Sequence, residues 1–280
     1  METIRISNVM QETSNTNILK GRKIGFVPTM GALHEGHLSL VRRSKQENDI
    51  TVVSIFVNPI QFGPNEDFNR YPRDFDGDFN KLQNEGVDIL FYPDIASIYP
   101  EGYSTYVEVK GLSDKLCGAF RPGHFKGVAT IVTKLFNIVK PKRAYFGQKD
   151  YQQSIIIRRM VKDLNLDVEI IVCPTVREED GLAMSSRNSY LSGKEREAAT
   201  IIYKTLTKAS ELIQSGIIDG VRIKNFMMEE IKKEPAVSSI DYVGVYDPET
   251  LDEIDIIKSE VVLAAAIFIG KTRLIDNIIV

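Results

Sequence analysis

The sequence predicts an α/β fold: a parallel sheet with helices on both faces, followed by a smaller α+β C-terminal domain. Two patterns predict it. Over about the first 170 residues, short β-branched runs alternate with helical stretches, and the runs are continuously apolar, as suits strands buried on both faces. After Pro174 the order changes to helices and then strands, which marks an appendage rather than further strand–helix–strand units.

The strands are expected at Lys23–Val27, Ile50–Val57, Val87–Tyr92, Arg143–Phe146 and Val168–Val172. Between them, Val128, Ile131, Val132, Leu135, Phe136 and Val139 recur at three-and-four spacing, one face of a helix that stops at Lys140-Pro141. Alternation of this kind argues for a doubly wound domain. Beyond it, a charged helix is expected from about Lys194 to Gln214, with Ala198, Ile202, Leu206, Ala209 and Ile213 as its buried stripe. A second helix follows at Val221–Lys233, then strands at Ile240–Tyr246 and Val261–Ile269. The domain boundary is placed near residue 175, giving domains 1–175 and 176–280.

Composition narrows the function. Of 280 residues, 43% are hydrophobic and 26% charged, enough to bury a core and too apolar for a disordered chain. Thirty-five basic against 38 acidic residues leave a net charge of -3, which disfavours a broad nucleic-acid binder while permitting a local anion pocket. The longest apolar run, Val261–Ile269, is far short of the ~20 residues that span a bilayer. The opening segment carries no apolar signal region, and Cys117 and Cys173 have neither metal-ligand nor redox spacing. A reduced, cytoplasmic setting is the expectation.

Two of the three histidines share the segment Pro28–His37, PTMGALHEGH, in which a strand ends, a glycine turn follows and a helix begins near Gly36. Ligands of open parallel sheets bind at strand carboxyl ends, and helix N-terminal N–H groups attract anions. His34 and His37 add donors there, although the spacing alone also suits a plain surface loop. The spacing is not that of a zinc site, and no metal ligand set is expected. Gly147-Gln148-Lys149-Asp150 repeats the strand–glycine–helix arrangement: Lys149 could pair with phosphate, or Asp150 could simply cap a helix. Met184-Ser185-Ser186-Arg187 lies in a loop-like stretch, 178–191, whose hydroxyls and guanidinium suit a triphosphate, although taken alone they suit a solvated loop or helix cap equally well. Gln61, after the second strand, and Gln153 are neutral amides able to read hydroxyl and carboxylate oxygens, although a plain surface position is the default for glutamine.

Two further patterns are dismissed. Gly270-Lys271-Thr272 looks like the end of a phosphate-binding loop, but Ala265 stands where its first glycine belongs. Asp74, Asp76, Asp78 and Glu85 mimic a calcium loop, but Phe79 occupies the glycine position. These acids are read instead as decoration of a helix's first turn, where negative charge is stabilising.

In this order, PTMGALHEGH, FVNPIQFG, RPGHFKGVATIV, FGQKDYQQ and DGLAMSSRNSYL resemble the pantoate–β-alanine ligase (pantothenate synthetase) family over essentially the whole chain, and the closing GKTRLIDN resembles its C-terminal domain. The resemblance implies a Rossmann-like nucleotidyltransferase core related to class I aminoacyl-tRNA synthetases. HEGH then corresponds to their HIGH-type signature and MSSRN to their KMSKS-type loop. It implies that ATP and pantoate give pantoyl adenylate and pyrophosphate, and that β-alanine then gives pantothenate and AMP. By motif, Met30, Gly31, Ala32, Leu33, His34, Glu35, Gly36 and His37 contact ATP, with His37 the catalytic donor. Gly147, Gln148, Lys149, Asp150, Val176, Met184, Ser185, Ser186 and Arg187 complete the nucleotide site. Gln61 and Gln153 hold pantoate, and Gln61 also helps place β-alanine. The family implies Mg2+, carried on the triphosphate, and a cytoplasmic homodimer with no nucleic-acid or membrane partner.

Gln148 is a departure, because many members carry glutamate there. Arg121 and His124 are left outside the expected site. The C-terminal domain and the Ser185–Arg187 loop are expected to act as a lid that keeps water from the adenylate. The rival reading is a nucleotidyltransferase of the same fold that adenylylates a phosphorylated acceptor.

Overall fold

The structure is a computed structural model, and it describes residues 1–64 and 66–280. The chain divides into two compact units. The first comprises residues 1–113, 121–147 and 153–174, and the second 114–120, 148–152 and 175–280.

The first unit is built on a six-stranded sheet in the order β1-β4-β3-β2-β5-β6, from β1 (Glu2–Ile4), β2 (Ile24–Thr29), β3 (Ile50–Ile55), β4 (Ile89–Phe91), β5 (Arg143–Gly147) and β6 (Glu169–Cys173). Every pairing is parallel. Helices α1 (Ser7–Leu19), α2 (Glu35–Glu47), α3 (Phe75–Asn84), α4 (Ile95–Ile98), α6 (His124–Val139) and most of α7 (Tyr151–Asp163) belong to this unit; α5 (Leu116–Phe120) belongs to the second. Ile24, Phe26, Val27, Val52 and Val53 are buried, which explains why β2 and β3 read as unbroken apolar runs. All six residues of the expected stripe on α6 are buried, and Lys140 ends the helix in a left-handed conformation directly before Pro141. Pro28 sits in a central strand without breaking it, because the pairing of β2 with β5 stops at Phe26.

The strand order reverses between β2 and β5. Chain order runs outward from β2 through β3 and β4, then restarts on the other side with β5 and β6. Where such an order switches, the crevice beyond the strand ends is the customary ligand position. Thr29 and Gly147 end the two strands that flank it.

The second unit contains an antiparallel sheet, β7 (Val237–Tyr246), β8 (Val262–Ile269) and β9 (Thr272–Ile279) in that order, with helices α8 (Gly193–Ala198), α9 (Ile201–Gln214) and α10 (Gly220–Lys232). Ile202, Leu206 and Ala209 of α9 share a core with Ile223, Met227 and Ile231 of α10 and with Val243, Leu263 and Ile267 of the sheet. The single helix expected over 194–214 is two: the Thr200 hydroxyl donates to the Glu197 carbonyl at 2.8 Å, and the backbone tightens at Ala199–Thr200. Two strands, β1 and β9, go beyond the sequence expectation. Segments 114–120 and 148–152 join this unit through Gln152, whose amide accepts from Cys117 N at 3.0 Å and donates to Lys115 O at 2.7 Å. No described helix is long and apolar enough to cross a membrane.

Candidate active site

At the end of β2 the Thr29 hydroxyl donates to Ser54 O (2.7 Å) and accepts from Gly31 N (3.2 Å), turning the chain out of the sheet. Gly31 (φ 84°) and Ala32 (φ 51°) then adopt consecutive left-handed conformations. Glycine takes the first at little cost, and a β-carbon there would lie 3.0 Å from Asp78 Oδ2. Ala32 has no such freedom and must be held. Asp78 Oδ2 accepts from Ala32 N and Oδ1 from Leu33 N, both at 2.7 Å, while Lys81 Nζ donates to Leu33 O at 2.6 Å. Burial pushes the Asp78 carboxyl above its ordinary range, against the pull of those two N–H groups and of Lys81.

Next comes a reciprocal cap on α2. His34 Nδ1 accepts from Gly36 N at 3.2 Å, and His37 Nδ1 accepts from the His34 N–H at 3.3 Å. An imidazole that accepts at Nδ1 carries its proton at Nε2, so the cap fixes both rings as Nε2–H donors. The rings lie 4.1 Å apart between centroids, at the positive end of a 13-residue helix. Glu35 forms an ion pair with Arg42, which also binds Glu85 at 2.6 Å. The hydrogen bond from Arg42 holds Glu35 below the usual carboxylate range.

Gln61 is buried and oriented. Asn58 Nδ2 donates to Gln61 Oε1 and to Gly127 O, both at 3.1 Å, and Tyr99 OH donates to Asn58 Oδ1 at 2.8 Å. Gln61 Nε2 therefore points at Met30 Sδ, 3.1 Å away, so the structure brings these two expected site residues together. His124 and Arg121 lie behind them. His124 Nδ1 donates to Gln61 O (2.8 Å), which leaves Nε2 to accept from Arg121 Nη1 (3.1 Å), and Arg121 forks onto Glu66 at 2.8 and 2.6 Å. Burial pushes Glu66 up, but Arg121 and the Gly63 N–H more than offset it, and its carboxyl lies below the ordinary value.

Helix α6 approaches this segment at Gly127, where an added β-carbon would lie 2.5 Å from Ile60 O and 2.6 Å from Gln61 Cα. Gly127→Ala is expected to destabilise the protein by about 1–3 kcal/mol through overpacking and to displace Gln61. A thermal melt and a crystal structure of the variant check it.

In the second unit, β9 gathers the other expected segments. Asn277 Nδ2 donates to Gln148 O (3.0 Å) and Lys149 O (2.9 Å), fixing the turn that carries Lys149, whose ammonium lies 3.8 Å from Asp150. The Gln148 side chain meets Asn277 Oδ1 at 3.4 Å. Arg177 forks onto Asp276 at 2.6 and 3.0 Å, donates to Gly181 O (3.1 Å) and stacks on Tyr203 at 3.9 Å. Met184 N donates to Val176 O at 3.0 Å, so the stretch expected as a loop opens as a narrow hairpin bridged at Arg177 and Ala183. A 3-10 helix, Ser186–Tyr190, follows; Ser185 caps it by accepting from Arg187 N at 3.3 Å, and Asn188 ties it to Ala183 O. Gln153 is half-buried in the first unit, and the fully engaged amide of α7 is its neighbour Gln152.

Asp78, Lys81, Arg177, Asp276 and Asn277 are the supporting residues that sequence reasoning missed. The last two close the GKTRLIDN segment, and Asp78 was set aside with the false calcium loop. Among the described residues, no group of three or more His, Cys, Asp or Glu is placed to hold a metal ion.

The family model described as pantoate-beta-alanine ligase matches residues 2–279. A pantothenate synthetase of Thermodesulfovibrio yellowstonii is 64% identical over 280 residues, covering all of both chains, and one of Thermosipho melanesiensis is 60% identical over 280 residues, covering 99% of that relative. A crystal structure of pantothenate synthetase from Thermus thermophilus superposes with a TM-score of 0.94 at 44% identity, covering 99% of each chain. The Francisella tularensis pantoate-beta-alanine ligase, crystallised with "Beta-gamma ATP and Beta-alanine", has a TM-score of 0.80 at 38% identity, covering 99% of this chain and 97% of that one. With a family match running nearly end to end and relatives of this identity, the chain belongs to the pantoate–β-alanine ligase family.

Proposed function

We propose that this protein condenses pantoate with β-alanine at the expense of ATP, through an enzyme-bound pantoyl adenylate. The observation that carries the reading is the pair of Nε2–H donors of His34 and His37, set at the N-terminus of α2 beside the switch point of the sheet. A carboxylate is a poor electrophile, and an amine will not expel oxide from it. A pantoate carboxylate oxygen attacks the α-phosphorus, the bond to the β-phosphate oxygen breaks, and pyrophosphate leaves. The neutral amine of β-alanine then attacks the acyl carbon, forms the amide, loses a proton and expels AMP.

Charge builds on phosphate oxygens during the first step, and donors held in advance stabilise it without reorganising. His34 and His37 supply such donors, with His37 the catalytic one. In this reading Met30–Leu33, Gly147–Asp150, Val176 and Met184–Arg187 bind the nucleotide, and Gln61 and Gln153 hold pantoate. Mg2+ fits as a companion of the triphosphate: both oxygens of Asp78 are engaged by backbone N–H groups, and Asp150 stands beside Lys149. When bound, the ion would neutralise phosphate charge. Homodimer formation and a cytoplasmic location belong to the same proposal and rest on the family resemblance.

Gln61→Ala is expected to weaken pantoate binding about ten- to a hundredfold, the effect of removing a buried hydrogen-bonding group, while leaving ATP affinity nearly unchanged. Calorimetric titration of each substrate separates the two; damage confined to ATP binding overturns the assignment.

The reaction itself is tested by following pyrophosphate and AMP from ATP, Mg2+ and pantoate, with β-alanine added or withheld. One pyrophosphate per active site without β-alanine, then AMP turnover with amide formation once it is added, supports the two-step ligase. Continued pyrophosphate turnover without AMP would instead identify an adenylyl transfer that stops at the first step.

A further inference from the structure

Helix α3 carries two groups, three residues apart, that the reaction scheme leaves unused. Asp78 takes the N–H groups of Ala32 and Leu33 on separate oxygens, and Lys81 gives its ammonium to the Leu33 carbonyl. Backbone of both polarities is thus gripped from one helix. Asp78 is only 1% exposed, whereas Asp74 and Asp76 of the same acidic run face solvent. A carboxylate buried to that depth is not surface decoration.

The gripped backbone needs holding. Ala32, at φ 51°, occupies a region that residues with a β-carbon visit only when their surroundings over-determine it. Leu33 is buried, and the next residue is His34, whose ring caps α2 and whose N–H is taken by His37. Relaxation at Ala32–Leu33 would move the attachment point of the His34 ring and the N–H that orients His37. Displacement of a catalytic group by about 1 Å can cost a hundredfold in rate.

We infer that Asp78, backed by Lys81, is a positioning residue for the adenylation step: it sets the register of His34 and His37 through the Ala32–Leu33 backbone. The inference rests on the reaction proposed above. Asp78→Asn keeps the volume but turns an amide N–H toward a backbone N–H, and Lys81→Met keeps the length without the charge.

The test is single-turnover pyrophosphate release by the full chain at saturating ATP, Mg2+ and pantoate. It compares wild type, Asp78→Asn, Lys81→Met, His37→Ala and the double variant Asp78→Asn/His37→Ala. Asp78→Asn is expected to slow the step roughly 10- to 100-fold and Lys81→Met roughly 3- to 10-fold, with pantoate affinity within about twofold of wild type. Once the His37 ring is gone only the register of His34 is left to disturb, so Asp78→Asn should cost clearly less on the His37→Ala background than it costs in wild type. A double variant slowed by the full product of the two single effects would show an independent role and overturn the inference. So would restoration of Asp78→Asn by excess Mg2+, which would make the carboxylate a metal ligand. If Asp78→Asn does not fold, the same cycle with Lys81→Met decides. Wild-type protein that releases no pyrophosphate would sink the reaction itself, whereas active wild type with an unimpaired Asp78→Asn would sink only the positioning role.

Discussion

His37→Ala is expected to lower the rate of the proposed pantoyl adenylate formation by roughly 10²–10³, the loss typical of one donor to a charge that develops in the transition state. Two effects of the substitution must be separated. The ring supplies an Nε2–H, and its Nδ1 also accepts the His34 N–H in the cap of α2. Losing the cap alone costs about 0.5–2 kcal/mol of stability, and a thermal melt reads that cost. His37→Asn offers a shorter acceptor for the cap but no imidazole donor, so it should recover part of the melting temperature and little of the rate. Rapid-quench measurement of pyrophosphate decides: adenylation near the wild-type rate in His37→Ala would remove His37 from the chemistry.

Arg177→Met should be the most damaging substitution in the second unit. Arg177 forks onto Asp276, which is 4% exposed, and removing one partner of a buried ion pair strands the other. The expected loss is about 3–5 kcal/mol, measured by denaturant unfolding at neutral pH. Its pH dependence identifies the cause. Burial already pushes the Asp276 carboxyl up against the pull of Arg177, and without Arg177 it rises further. A carboxyl whose folded-state pKa exceeds the unfolded value binds its proton more tightly when folded. The deficit is therefore complete above that folded value and shrinks as pH falls through it. A deficit that stays constant with pH would point to lost packing against Tyr203 instead.

Physical reasons separate what the sequence reveals from what it hides. Strands β2 and β3 are central, buried on both faces, and show as unbroken apolar runs. Strand β1 is three residues long with only Ile4 buried, too short to display any period. Strand β9 escaped because its buried positions include Asp276 and Asn277, polar residues that hide a strand from a hydrophobicity pattern. Of the stripe expected over 194–214, Ile202, Leu206 and Ala209 are buried and Ala198 and Ile213 are half-buried against the same core, and the break at Thr200 depends on a hydroxyl–carbonyl bond that spacing does not reveal.

The site divides in the same way. The reciprocal cap of His34 and His37 is legible because two imidazoles, a glycine turn and a helix start lie in one segment of ten residues, 28–37. Asp78 does sit in the first turn of a helix, as the sequence suggests, but its partners are N–H groups 46 and 45 residues away. Side-chain type marks groups that perform chemistry; it does not mark a backbone that has to be gripped. The same holds for Arg121 and His124, which support the Gln61 carbonyl from 60 and 63 residues further along the chain.

The bonds from Asn277 to the Gln148 and Lys149 carbonyls have a consequence for the order of synthesis. Chains are made from the N-terminus, and early regions fold while later ones are still being added. A growing polypeptide could complete all six parallel strands and cap α2 while the Gln148–Lys149 turn still lacked its anchor. That anchor is supplied 129 residues after Gln148, and only then is the lysine turn held in place. In nascent protein the turn that carries Lys149 is thus left unheld until translation has reached β9.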